Sequence, residues 1–524
     1  MKILFSPNDK LINKTQSEKW GVDEIVLPSE IDDYKLPEEK NFILFIPTIL
    51  NEDLALNYEG VEIALSLYCQ LLRRNTTISA KIVLLGIESV SSFMLKCKYP
   101  KIIRCSGFDY RILNIHSVSQ YKEEPEPINT ETALKHLKEI GLTLPESYKT
   151  NHSFVNEWSY YVWSEYMNYD NTDVKNVFKN NIYFDYLQTL YRNQKTKNIT
   201  EEQANKIGQL KGTVLLIDDS KYWHCFFEKF FRDTNVRFEH IGSDFKHHNT
   251  KEILQTCIEK IKESKPDIIL LDFRLNEDRD YDVKNFADIS GVKVLKALKG
   301  KQKNDPSLQH NMMGARVIMF TATGKIKNVL KLKEHGADGF VFKEHPEKYF
   351  GKTTTHENIK SMIGTLGRML ECAFIAKPIC EHLGKWEEVV ITAKTDDRVT
   401  DRIKHVCSIV RRLSQGDFLT ETDLKLLYLE CYSVLEAFKE GNENIDHVIK
   451  KIIVNDNFNV DIRLLWDNIN KVRTALAHGD NKVELTSPKR VYNSSEEKIL
   501  SEWLLKLCMF VSETLKVHFA KSKD

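Results

Sequence analysis

At 524 residues the chain exceeds what one hydrophobic core supports, and a norm of about 150 residues per domain predicts three or four units. A composition of 42% hydrophobic and 29% charged residues with only 13 prolines excludes a disordered or fibrous chain. Seventy-five basic residues balance seventy-five acidic ones, so no global field draws the molecule onto nucleic acid or an anionic membrane, and any RNA contact has to be local.

The ten cysteines are scattered singly, without a CxxC pair or a His/Cys cluster, which argues against structural zinc and against a disulfide framework. The N-terminal MKILFSPNDK reaches proline and charge within a few residues, and no apolar run approaches the ~20 residues that cross a bilayer. The expectation is a cytoplasmic, reduced protein with no membrane partner.

Residues 1–120 carry a faint alternation of short apolar runs and amphipathic stretches, including FILFIPTILNED (42–53), GVEIALSL (60–67) and KIVLLG (81–86). Residues 121–212 open on the polar YKEEPEPINTE and then become helical, with the aromatic segment FVNEWSYYVWSEYMNY (154–169). No Lys or Arg is interleaved with those rings, as neutralising a nucleic-acid backbone requires, so they are read as packing residues of a helical connector.

From 213 to 350 the βα alternation is plain. TVLLIDDS (213–220), VRFEHIG (236–242), DIILLDFRL (267–275), ARVIMFTATG (315–324) and DGFVFKE (338–344) read as five strands of a parallel sheet covered on both faces. The first 120 residues repeat this pattern in order and spacing: FILFIPTILNED lies beside DIILLDFRLNED, GVEIALSL beside GVKVLKAL, and KIVLLG beside RVIMFT. In that register Pro47 stands where Asp272 is, and Gly86 where Thr321 is.

Phosphoryl transfer to a carboxylate needs a divalent cation and groups that hold the transferred phosphoryl. In a doubly wound sheet the carboxyl ends of the strands form the ligand-binding edge. Asp218 and Asp219 end the first strand, Asp272 the third, Thr321 the fourth and Lys343 the fifth. Singly, each has a structural alternative: a helix cap for the acidic pair, a β-branched strand position for Thr321, a solvated charge for Lys343. All five at the right strand ends, in order, outweigh those alternatives.

Over about 135 residues, LLIDDS, ILLDFRL, IMFTATG and FVFKE resemble the receiver domains of two-component response regulators. The resemblance implies a flavodoxin-like fold with Asp272 as phospho-acceptor. Asp218, Asp219 and Asp272 would hold Mg2+, and a histidine kinase or phosphotransfer protein would be the donor. It assigns Thr321 and Lys343 to the phosphoryl group and Phe340 to an aromatic switch. The N-terminal copy is then a degenerate receiver-like domain. Two features depart from the pattern. Glu344 and His345 stand between the lysine and Pro346, where the family has proline directly after the lysine. The connection NEDRDYDVKNFADIS before Gly291 is long and is read as a solvated surface loop.

Beyond 355 only amphipathic stretches are evident, predicting a helical linker (355–415) and an all-α bundle (416–520). NKVRTALAHGD (470–480) resembles the Arg-x4-His signature of HEPN domains, a family of metal-independent ribonucleases and inactive helical modules. The resemblance makes Arg473 and His478 catalytic toward RNA, in a site shared across a homodimer. Five helical residues rotate a side chain by about 140°, so the two meet only if the helix ends between them and the site, with Gly479 as the cap. Thr474 replaces the amide or acid that often follows the arginine. Two outputs stay open, a phosphorylation-controlled ribonuclease and a non-enzymatic dimerisation or protein-interaction module. A DNA-binding output is disfavoured, because no basic recognition helix stands out after residue 360.

Overall fold

The structure, a computed structural model, describes residues 1–7, 12–39, 41–50, 58–74, 79–125, 127–142, 153–178, 181–194, 198–276, 280, 283, 285–299, 315–322, 326–346, 351–392, 397–413, 421–439, 443–449, 460–478, 482–486, 489–493 and 497–520. They divide into two compact units, one of 1–198 with 344–356 and one of 199–343 with 357–524.

The first unit is built on a parallel five-stranded sheet of β1 (Lys2–Phe5), β2 (Glu24–Val26), β3 (Asn41–Pro47), β4 (Ser79–Gly86) and β5 (Phe108–Ile112), in the order β2-β1-β3-β4-β5. Six consecutive residues of β3 are buried, the continuous apolar run of a strand covered on both faces. Helix α1 (Glu59–Leu72) follows β3 so tightly that a Cβ on Gly60 would stand 1.7 Å from the Pro47 carbonyl oxygen. The aromatic stretch forms α2 (Ser153–Met167), followed by α3 (Ile182–Arg192). Trp158, Tyr161 and Trp163 are fully buried, and the rings of Trp158 and Tyr161 both pack on Phe184, so they serve as core. Arg73, which caps the C-terminus of α1, pairs with Asp185 of α3 at 2.7 Å and donates to Gln188 at 2.7 Å, joining the two helices.

The second unit contains β6 (Lys211–Ile217), α4 (Lys221–Phe231), β7 (Asn235–Ile241), α5 (Thr250–Ser264), β8 (Ile268–Leu271), α6 (Ser290–Leu298), β9 (Arg316–Thr321), α7 (Ile326–Glu334) and β10 (Gly339–Phe342). These strands are also all parallel, in the order β7-β6-β8-β9-β10, which is the order of the first sheet. The apolar face of α4 is aromatic: Trp223, Phe226, Phe227, Phe230 and Phe231 are buried, with Phe227 5.4 Å from Phe320 of β9.

Helix α8 (Lys352–Thr392) leads into α9 (Asp397–Leu413), α10 (Glu421–Glu436), α11 (Val460–His478) and α12 (Glu497–Ala520). One apolar cluster runs through them, from Trp386 and Ile403 to Tyr428, Trp466 and Leu504. The C-terminal region is not all-α. Residues Lys482–Thr486 (β11) and Lys489–Asn493 (β12), inside the stretch predicted as an all-α bundle, pair antiparallel with Glu484 opposite Val491. Only β11 (KVELT) alternates polar and apolar residues and β12 (KRVYN) does not, so no two-residue period stands out in a helical setting. Among the described residues no helix is long and apolar enough to cross a membrane.

Candidate functional site

The pairing of the second sheet continues one residue past three of its strands. Asp218 N–H donates to Ile241 O at 3.2 Å, Asp272 N–H to Ile217 O at 2.9 Å, and Lys343 N–H to Thr321 O at 2.9 Å. Strand geometry therefore delivers Asp218, Asp272 and Lys343 to one rim, beside Thr321, the last residue of β9. Gly291 at the start of α6 makes this rim possible: a Cβ there would lie 2.2 Å from Asp272 O and 2.6 Å from Phe273 O.

Lys343 is the centre of the arrangement. Its Nζ lies 2.9 Å from Asp218 Oδ2 and 3.1 Å from Asp272 Oδ1, and its side chain is 0% exposed, which removes the solvated-charge alternative. The ammonium also sits 4.6 Å from the centroid of Phe320 and 5.5 Å from that of Trp223, an aromatic lining the sequence analysis did not identify. Burial works to lower the Lys343 pKa, and the charges of Asp218 and Asp272 overcome it and hold the group above the usual lysine range. Burial pushes Asp272 up to about 6, with Lys343 opposing and Asp218 adding to the rise.

Asp218 is fully buried, and its Oδ1 accepts from Ser220 N–H at 2.9 Å. The Ser220 hydroxyl makes no capping bond to α4, and Asp219 is half-buried beside it. His224 Nε2 lies 2.7 Å from the Asp218 carbonyl oxygen, with its ring stacked on His240 at 4.2 Å. Phe340 is partly buried against the core below the sheet and stacks on the more exposed Phe342 at 6.0 Å.

Some of the described residues in the connection after Asp272 are buried and hydrogen-bonded. Asn276 is 1% exposed and donates to the carbonyls of Phe245 and His248 at 2.8 and 3.1 Å. Asp280, 2% exposed, accepts from Ser290 N–H at 3.1 Å and from the Ser290 hydroxyl, which in turn accepts from Leu275 N–H at 2.8 Å. Both buried polar side chains are thereby satisfied.

Asp218 and Asp272 face the Lys343 ammonium at this rim, and Asp219 follows Asp218 in the chain; carboxylate oxygens are the donors that a hard divalent cation takes. Among the described residues no three such side chains are gathered into a preformed cage.

The register of the first sheet sets Ser6, Pro47, Gly86 and Leu113 at the positions of Asp218, Asp272, Thr321 and Lys343. A Cβ on Gly86 would stand 1.8 Å from Tyr110 Oη, so a phenol fills the space of a threonine side chain, and it donates to Glu88 O at 2.8 Å. Glu88 also accepts from Tyr58, Ser92 and Lys96.

In the C-terminal region Arg473 lies 3.3 Å from Glu436 of α10 and 5.3 Å from the centroid of Tyr432, whose hydroxyl donates to Asn470 at 2.9 Å. Thr474 spends its hydroxyl on Asn470 O at 2.9 Å. Helix α11 runs without interruption through His478, which is exposed, so the structure leaves Arg473 and His478 about 140° apart around one helix. Gly479 lies outside the described residues.

No protein-family model and no curated protein matches the chain. Among solved structures, the chain is similar over 29% of its length to the signal receiver domain of a putative Luxo repressor protein from Vibrio parahaemolyticus, covering 92% of that chain at 23% identity and a TM-score of 0.18. It is similar, also over 29% of its length, to a two-component response regulator of the LuxR family from Aurantimonas sp. SI85-9A1, covering 86% of that chain at 16% identity and a TM-score of 0.19.

Proposed function

We propose that this chain is a response regulator of a phosphorelay, phosphorylated on Asp272 within a receiver domain at 213–350. The observation that carries the reading is the fully buried Lys343 bridging Asp218 and Asp272 at the carboxyl edge of a parallel sheet. An Asp272 carboxylate oxygen attacks the phosphorus of a donor, a phosphohistidine of a kinase or phosphotransfer protein. The donor's bond to phosphorus breaks, and its imidazole leaves with the electron pair. Mg2+ held by Asp218, Asp219 and Asp272 would neutralise the charge gathered there. Lys343 and Thr321 would hold the transferred oxygens, and Phe340, three residues before Lys343, would be the aromatic switch that responds. The first sheet, with Pro47 and Gly86, is a degenerate receiver-like domain.

For the output we propose the HEPN-like helical region at 416–520, acting on RNA through Arg473 and His478 of two subunits. A specific observation favours the second reading, a non-enzymatic dimerisation or interaction module: Arg473 is held by Glu436 and Tyr432 and lies on a different side of α11 from His478.

The test of the first proposal is treatment of the full chain with acetyl phosphate and Mg2+, read by intact mass. One phosphoryl group is expected on the wild type and none on Asp272→Asn. Equal labelling of Asp272→Asn would remove the assignment. The same samples, incubated with RNA, separate the two outputs: cleavage lost in Arg473→Ala supports the ribonuclease, and a phosphorylation-dependent change of oligomeric state surviving that substitution supports the module.

A further inference from the structure

The residue after the site lysine has a seat of its own. The first stretch of the second unit ends at Lys343 and the chain re-enters the first unit at Glu344, so one peptide bond joins residues of different units. Glu344 is 2% exposed, and inside the first unit every polar group named here has a partner. Its N–H donates to Ser159 Oγ at 2.8 Å, its Oε1 accepts from Trp163 Nε1 at 3.1 Å, and its Oε2 accepts from Thr355 Oγ1 at 3.1 Å. Ser159 and Trp163 lie on α2, and both they and Thr355 are fully buried. Taking a carboxylate out of water costs several kcal/mol unless hydrogen bonds replace the solvent, and the two neutral donors Trp163 and Thr355 in the interior are that replacement. A chain that needed only a turn at this point would not bury an acid.

We propose that Glu344 is a positioning residue for Lys343 and the route by which phosphorylation of Asp272 is registered in helix α2 of the first unit. The proposal rests on the receiver reading above. Phosphorylation adds roughly one negative charge and three acceptor oxygens on Asp272. Lys343, now dividing its ammonium between Asp218 and Asp272, must redistribute those contacts. The peptide plane between Lys343 and Glu344 is rigid, so a shift of the lysine backbone turns the Glu344 amide that Ser159 holds. A carboxylate pinned at both oxygens passes that turn to Trp163 and Thr355. Linkage makes the effect reciprocal: what the seat gains or loses on phosphorylation it returns as affinity at Asp272.

The experiment uses the full chain with Mg2+ and beryllofluoride, a non-hydrolysed stand-in for the phosphoryl group, and follows amide hydrogen exchange by mass spectrometry. Exchange is compared in peptides covering 268–276 and 153–167. Both are expected to change in the wild type. In Glu344→Ala the first should still respond, at a beryllofluoride affinity weakened on the order of tenfold, and the second should not. Glu344→Gln, which keeps one carbonyl acceptor, should recover part of the 153–167 response, a rescue that a bulk packing role would not give. If Glu344→Ala does not fold, Ser159→Ala removes the amide anchor alone and is read in the same way. A wild-type response confined to 268–276, or a 153–167 response that persists in Glu344→Ala, overturns the proposal and leaves the receiver reading standing. No response in either region overturns both.

Discussion

Asp272 and His224 are both buried beside the same rim, and their titrations pull in opposite directions. Burial lowers His224 to about 4, with the neighbouring His240 as the next cause, whereas burial raises Asp272 to about 6. In an unfolded chain the two sit near ~6.5 and ~3.9. As pH falls from about 6.5 to about 4, the unfolded chain binds the His224 proton before the folded chain does, and stability is lost. From about 6 to about 3.9 the folded chain binds the Asp272 proton first, and stability is gained. The two effects overlap and largely cancel. Asp272→Asn removes the gain alone, so its urea midpoint should fall between pH 7 and pH 5 by more than that of the wild type; a parallel pH dependence of the two proteins would rule this account out.

At the scale of elements, the approach of α6 to the end of β8 depends on Gly291, as that of α1 to the end of β3 depends on Gly60, where the built Cβ contacts are 2.2 and 1.7 Å to backbone oxygen. Gly291→Val must push the helix off the acceptor loop, an overpacking cost of about 1–3 kcal/mol that a lowered thermal midpoint would reveal, together with slower labelling of Asp272. These glycines head GVKVLKAL and GVEIALSL, the phrases whose alignment set the repeat in the sequence. The strands of the second sheet were legible for a related reason, since residues buried on both faces leave unbroken apolar runs such as IILL. The site acids were legible because strand ends are fixed by those runs. Other parts were not. The hairpin of β11 and β12 has only five residues per arm, and only β11 alternates. Asn276 and Asp280 are polar residues in a polar stretch, and nothing local marks them as buried. Glu344 read as a departure from a pattern, because its partners Ser159 and Trp163 lie more than 180 residues away in sequence.

For the whole molecule, two parallel sheets of one strand order carry different rims, one with a lysine between carboxylates and one closed by Tyr110 over Gly86. The helical region has its own apolar interior, in which Trp466 is fully buried, stacked between Tyr432 at 5.8 Å and Phe510 at 5.5 Å, with Nε1 bonded to Asp446 at 2.8 Å. Trp466→Ala should cost about 3–5 kcal/mol, read by urea denaturation followed through helical circular dichroism; a change below about 1 kcal/mol would show that this interior does not limit stability. The first unit is assembled from two stretches of chain, 1–198 and 344–356. Glu344 and Thr355 come from the second stretch, and Ser159, Trp163 and Tyr191, to which they bond, come from the first. A gene fragment ending near residue 198 would therefore express a domain with a hole in its interior, and a fragment beginning there would carry the missing strap on the wrong molecule. The second parallel sheet is inserted in its neighbour's sequence, so recombination cannot exchange it as a cassette without rebuilding the domain that precedes it.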